Sequence, residues 1–215
     1  LMEQAKIVAK ENPADIEALN ELKYDAENTV ADALREKILV IGENMNIRRF
    51  EKFVAANGFV ESYIHANGRI AILVEFEGAC TEATKTCAKD VAMQIAAMNP
   101  KYVHQGEISA DYIAHEKEIL KAQIMNDPKE SQKPEKVIDG MINGRINKQL
   151  KEICLLDQTF VRSDLFDGTV GGYIADVAKK MGAEIKIKGF VRYGKGEGLE
   201  KRQDDFAAEV ASMVQ

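Results

Sequence analysis

The sequence has little cysteine, no long apolar run and no surplus of basic residues. Its three cysteines, Cys80, Cys87 and Cys154, are an odd number, and no two sit at metal-ligand spacing. A disulfide scaffold or a zinc module is therefore not expected, and reduced thiols taken up in packing are. No stretch nears the ~20 apolar residues of a membrane helix, and none joins a basic start to the apolar core of an export leader. The formal net charge of −6, from 29 basic and 35 acidic residues, argues against a nucleic-acid surface, which needs a basic stripe to replace counterions. The expectation is a cytoplasmic protein with neither a membrane nor a nucleic acid as partner.

Catalytic constellations are also missing. His65, His104 and His115 each stand alone in their segments, and only His115 has carboxylates at helical spacing, Asp111 and Glu118. On a charged helix face those three read as solvated neighbours rather than metal ligands. Cys87 falls on an apolar helix face, a place for packing rather than for a nucleophile. The glycine-rich run Tyr193-Gly194-Lys195-Gly196-Glu197-Gly198 joins a strand to a helix, as phosphate loops do. It lacks the terminal Lys-Ser/Thr of a P-loop and the spacing of a dinucleotide site, and Glu197 would repel phosphate. A structural turn is the better reading. No catalytic, cofactor or metal site is expected.

What is present is patterned sequence with 46% hydrophobic and 30% charged residues. Residues 2–10 are helical, and Asp15 to about Val40 reads as one helix with Ile16, Leu19, Leu22, Ala26, Val30 and Leu34 at steps of three and four, stopped by Gly42. Three strands follow, about Met45 to Val54, Phe59 to His65 and Arg69 to Phe76, joined at Asn57-Gly58 and Asn67-Gly68 as an antiparallel meander. Thr81 caps a helix whose stripe is Ala83, Cys87, Ala88, Val91, Ala92, Ile95 and Met98. Residues 109–153 read as a helical hairpin, coiled-coil-like, with Ser109 and Pro134 opening its two helices. Gly140 and Gly144 lie inside the second of these, for close backbone contact or for a flexible arm. A helix from Thr169, a strand from Ile185 to Tyr193 and a last helix with Leu199, Phe206, Val210 and Met213 complete the chain. The predicted class is α+β: two small α/β subdomains with antiparallel sheets, at 1–100 and 101–215, the hairpin inserted in the second and a C-terminal helical module at about 196–215.

Three motifs in order, Ile41-Gly42-Glu43-Asn44-Met45-Asn46-Ile47-Arg48-Arg49, Ser62-Tyr63-Ile64-His65 and Gly196-Glu197-Gly198-Leu199-Glu200-Lys201, resemble the bacterial translation elongation factor Ts family. Gly140-Met141-Ile142-Asn143-Gly144-Arg145 in the hairpin extends the likeness. So does Gln158-Thr159-Phe160-Val161, where the family has Gln-Pro-Phe-Val. The resemblance implies a nucleotide-exchange factor for the GTPase elongation factor Tu, which does no covalent chemistry and is not an enzyme. It implies that Ile41 and Gly42 contact the partner's GTPase domain, and that His65 and Val161 contact it elsewhere. Asp205-Phe206-Ala207 matches a C-terminal family pattern, and Phe206 reads as packing. The family's small three-helix N-terminal domain and its Thr-Asp-Phe-Val motif do not occur in these 215 residues. The opening Leu1-Met2-Glu3 suggests a fragment, expected to bind elongation factor Tu but to exchange poorly. A homodimer is compatible with the sequence, through the hairpin or the first strands. Two other readings stay open: an assembly module built on the hairpin, and a small phosphate-binding enzyme using the Gly194 to Gly198 loop.

Overall fold

The computed structural model describes residues 2–199. Among the described residues, seven α-helices and a three-stranded antiparallel sheet give the α+β class. The chain divides into compact units at 1–56 and 57–215.

In the first unit, helix α1 (Met2–Glu11) forms as expected, and helices α2 (Ile16–Glu21) and α3 (Val30–Ile41) replace the single long helix expected after Asp15. The reason is local polar chemistry. The Asp25 carboxylate accepts from the Glu27 and Asn28 backbone N–H groups at 2.9 and 2.8 Å, which turns the chain. Thr29 and Asp32 then form a reciprocal capping box that starts α3 afresh. Apolar periodicity runs through the break because Leu19 and Val30 are both buried and pack with Val8. Ile47 and Phe50 join that cluster, yet residues 45–54 are not a strand. Alternating sequence needs an edge to pair with, and the first unit's regular elements are all helices.

The second unit holds the sheet: β1 (Gly58–His65), β2 (Ile70–Gly78) and β3 (Ile185–Gly194), in the order β1-β2-β3. The Asn67-Gly68 hairpin forms as expected, with left-handed φ values of 54° and 84°. The third strand of the meander is corrected: it is β3, more than a hundred residues downstream, and not Met45 to Val54. Phe59 and Tyr63 of β1 share a face with Ile72, Val74 and Phe76 of β2, by the pairings Phe59 with Phe76 and Tyr63 with Ile72.

Helix α4 (Glu82–Met98) covers that face with Cys87, Ala88, Val91, Ala92 and Ile95. Small side chains at two of these positions let helix and sheet approach closely. Met98, expected inward, is 47% exposed, on the last turn before the left-handed Asn99 cap. Helix α4 and strand β3, which the sequence assigns to different halves, meet in this unit.

Helices α5 (Ala110–Asn126) and α6 (Glu135–Ile153) make the hairpin, zipped by Leu120, Ile124, Ile138, Ile142, Ile146 and Leu150. A methyl group at Gly140 or Gly144 would meet nothing within 4 Å, so close packing does not account for these glycines. Gly140→Ala and Gly144→Ala are each expected to stabilise the hairpin by about 0.5–1 kcal/mol, read as raised urea midpoints. A loss of stability would show that the helix needs the glycines for a reason other than space. Helix α7 (Val170–Met181), capped by Thr169 and ended by a left-handed Gly182, leads into β3. Of the expected C-terminal helix, everything beyond Leu199 lies outside the described residues.

Candidate partner-binding site

Ile41 and Gly42 end α3. Gly42 has φ +76° and its N–H returns to the Ile38 carbonyl at 2.8 Å, a left-handed C-cap that glycine adopts without strain. A Cβ there would meet nothing within 4 Å, so the glycine serves the turn and leaves its surface open. Ile41 is 53% exposed, and Leu39 and Val40 before it are more exposed still. Three consecutive apolar side chains thus stand in solvent at one helix end, which is the pattern of a contact surface rather than of a core.

His65 is the last residue of β1, held by the ladder opposite Ile70 and exposed. The Tyr63 phenol lies 3.0 Å from its Nδ1. When the phenol donates, the imidazole carries its proton on Nε2 and presents an N–H donor away from the strand. Tyr63, two residues back on the same face, therefore orients His65 without burying it.

Val161 lies between the 3₁₀ turn Leu155–Asp157 and α7, and is 43% exposed. Its neighbours on both sides are tied down. Phe160 is buried, stacked on Tyr173 at 4.3 Å, and its N–H donates to the Gly168 carbonyl at 2.9 Å. Arg162 pairs with Asp164 at 2.8 Å and stands 3.8 Å from the buried Asp90. Alternation along the loop sends Gln158 and Phe160 inward and leaves Thr159 and Val161 outside.

Behind this loop is a polar cluster that periodicity does not reveal. Gln94, Asp90 and Gln158 are buried. Gln94 bonds to Gln158, to the Thr159 carbonyl and to the Val161 N–H. Tyr173 donates its phenol proton to Asp90 at 2.7 Å, and burial first, then this hydrogen bond, pushes the phenol well above its ordinary value. A glutamine and an aspartate inside an otherwise apolar stripe were the available signal. Nothing in the spacing says what they hold.

The remaining candidates fall into place as structure. Burial, followed by the nearby Asp90, pushes the Cys87 thiol up to about 12, which leaves it unreactive at neutral pH. Cys154 is buried as well, and Cys80 is exposed. His115 is exposed on α5. The Glu197 carboxylate accepts from the Gly194 N–H at 2.8 Å, so the glycine-rich turn fills its own anion position. Among the described residues no cluster of His, Cys, Asp and Glu could hold a metal ion. Nor is any described helix long and apolar enough to cross a membrane.

Comparison with known proteins gives a consistent picture. A profile of the family described as "Elongation factor TS" matches residues 1–197. "Elongation factor Ts" of Syntrophotalea carbinolica is 44% identical over 213 residues, covering 98% of this chain and 68% of that protein. The Clostridioides difficile protein of the same name is 46% identical over 187 residues, covering 86% of this chain and 59% of its own length. That of Halothermothrix orenii is 45% identical over 199 residues, covering 92% and 62%. The chain thus spans roughly two thirds of the length of these relatives.

Proposed function

This chain belongs to the elongation factor Ts family, and from that membership we propose that it binds the GTPase elongation factor Tu and promotes release of GDP. The mechanism is linkage. A factor that binds the nucleotide-free GTPase more tightly than the GDP form weakens GDP by the same factor by which GDP weakens it. Differential contact with two states is sufficient, with no acid, base or nucleophile. The protein acts as an exchange factor and not as an enzyme in the usual sense.

The observation that carries this reading is the family match along residues 1–197. The exposure of the four candidate contacts supports their roles. Ile41 and Gly42 would dock on the GTPase domain, while His65 and Val161 would hold the partner elsewhere. His65 offers a hydrogen bond from a strand end, and Val161 offers apolar surface from a braced loop.

The test is direct. Elongation factor Tu is loaded with fluorescent GDP and chased with unlabelled GDP, with and without the chain, while a pull-down reads binding. Binding with accelerated release is the expected result, and His65→Ala should weaken binding about ten-fold by removing one oriented polar contact. Absence of binding by the unaltered chain would overturn the proposal.

A further inference from the structure

We propose that Gln94 is a positioning residue for the partner contact, its carboxamide holding the loop of residues 158–162 so that Val161 faces outward. The inference rests on the reading of Val161 as a contact with elongation factor Tu.

Gln94 is 0% exposed, in the middle of a helix and flanked there by the buried Val91, Ala92 and Ile95. Burying a carboxamide there is unfavourable unless its polar atoms are all satisfied. They are, and every bond goes to one short stretch of chain. Nε2 donates to Gln158 Oε1 at 3.1 Å and to the Thr159 carbonyl at 3.1 Å, using both of its protons. Oε1 accepts from the Val161 backbone N–H at 2.8 Å. One side chain on a helix thus clamps residues 158, 159 and 161.

The clamp is braced from the other side. Gln158 donates its side-chain amide to the Glu152 carbonyl at 2.7 Å, and its backbone carbonyl accepts from the Val170 N–H at 3.0 Å. With Phe160 stacked beneath, the backbone at 161 has one orientation, and the isopropyl group is left in solvent. Leucine or methionine at position 94 would fill the same volume as core. Neither could hold the Val161 N–H. Glutamine at this buried position is explained by what it does to the loop.

A merely structural glutamine would affect stability and leave the binding energy of Val161 untouched. Affinity for elongation factor Tu is therefore measured for the full chain, Gln94→Met, Val161→Ala and the double variant. Gln94→Met should weaken binding about ten-fold in the unaltered background and less than about two-fold when Val161 is already alanine. Additive losses in the double variant, or wild-type binding by a folded Gln94→Met, would overturn the positioning role while leaving Val161 as a contact. Wild-type binding by Val161→Ala would instead overturn the contact, and the positioning role with it. Should Gln94→Met not fold, hydrogen exchange of the unaltered free chain decides. The Val161 amide should exchange at least about a hundred-fold more slowly than an exposed loop amide. Exchange at the unprotected rate would overturn the proposal.

Discussion

Aspartate in place of Val161 is expected to weaken binding to elongation factor Tu by at least about a hundred-fold, while the thermal midpoint moves by no more than about 2 °C. The two halves of this expectation have separate causes. Within the chain Val161 is half in solvent and its backbone is held by Gln94, so the fold asks little of the side chain. At an interface the same position must be stripped of water. A carboxylate buried there without a partner loses its hydration and gains nothing in return. Calorimetric titration reads the first quantity and a melt of the free variant the second. Val161→Leu should bind within a few-fold of the unaltered chain, because it keeps the apolar surface. Undiminished binding by Val161→Asp would move the contact off this loop.

Phe76→Ala carries the largest expected effect on stability, a loss of about 3–5 kcal/mol from the second unit. Phe76 is buried on the central strand, paired in register with Phe59 and stacked on it at 5.5 Å with an interplanar angle of 9°. Truncation removes the apolar burial and opens a void between sheet and α4, where small helical residues cannot expand to fill it. Urea unfolding should show a lower midpoint with little change in slope. Phe76→Leu, which keeps much of the volume, should lose less than half as much. A cost below about 1 kcal/mol for Phe76→Ala would mean that the core relaxes around the gap.

Helix ends are legible in the sequence where the chemistry that sets them is local. Thr81, Ser109 and Thr169 each cap the helix that their position announces, and Gly42 and Gly182 each end one in the left-handed conformation. The stripe Ile138, Ile142, Ile146 and Leu150 zips the hairpin because residues four apart share a helix face. The break after α2 was also local, in Asp25 and the Thr29–Asp32 box. It was hidden by apolar spacing that continues across it.

The candidate site divides along the same line. His65, Ile41, Gly42 and Val161 came from ordered motifs, and their exposure is the tertiary fact that makes contact roles physically reasonable. Gln94 could not be found in this way. Its three bonds reach residues 64 to 67 positions away, and a glutamine on an apolar helix face looks the same whether it clamps a loop or meets solvent.

The sequence by itself determined the caps of α4, α5 and α7, the alternation of residues in β1, β2 and β3, that the hairpin exists, and the family. All of these are set by contacts within a few residues or by ordered motifs. Only the tertiary structure decided that β3 and not residues 45–54 completes the sheet, and that Gln94 stands behind Val161. A strand's alternation specifies a face but no partner, and a buried amide specifies a need for hydrogen bonds but not their source. Both are settled when distant segments meet.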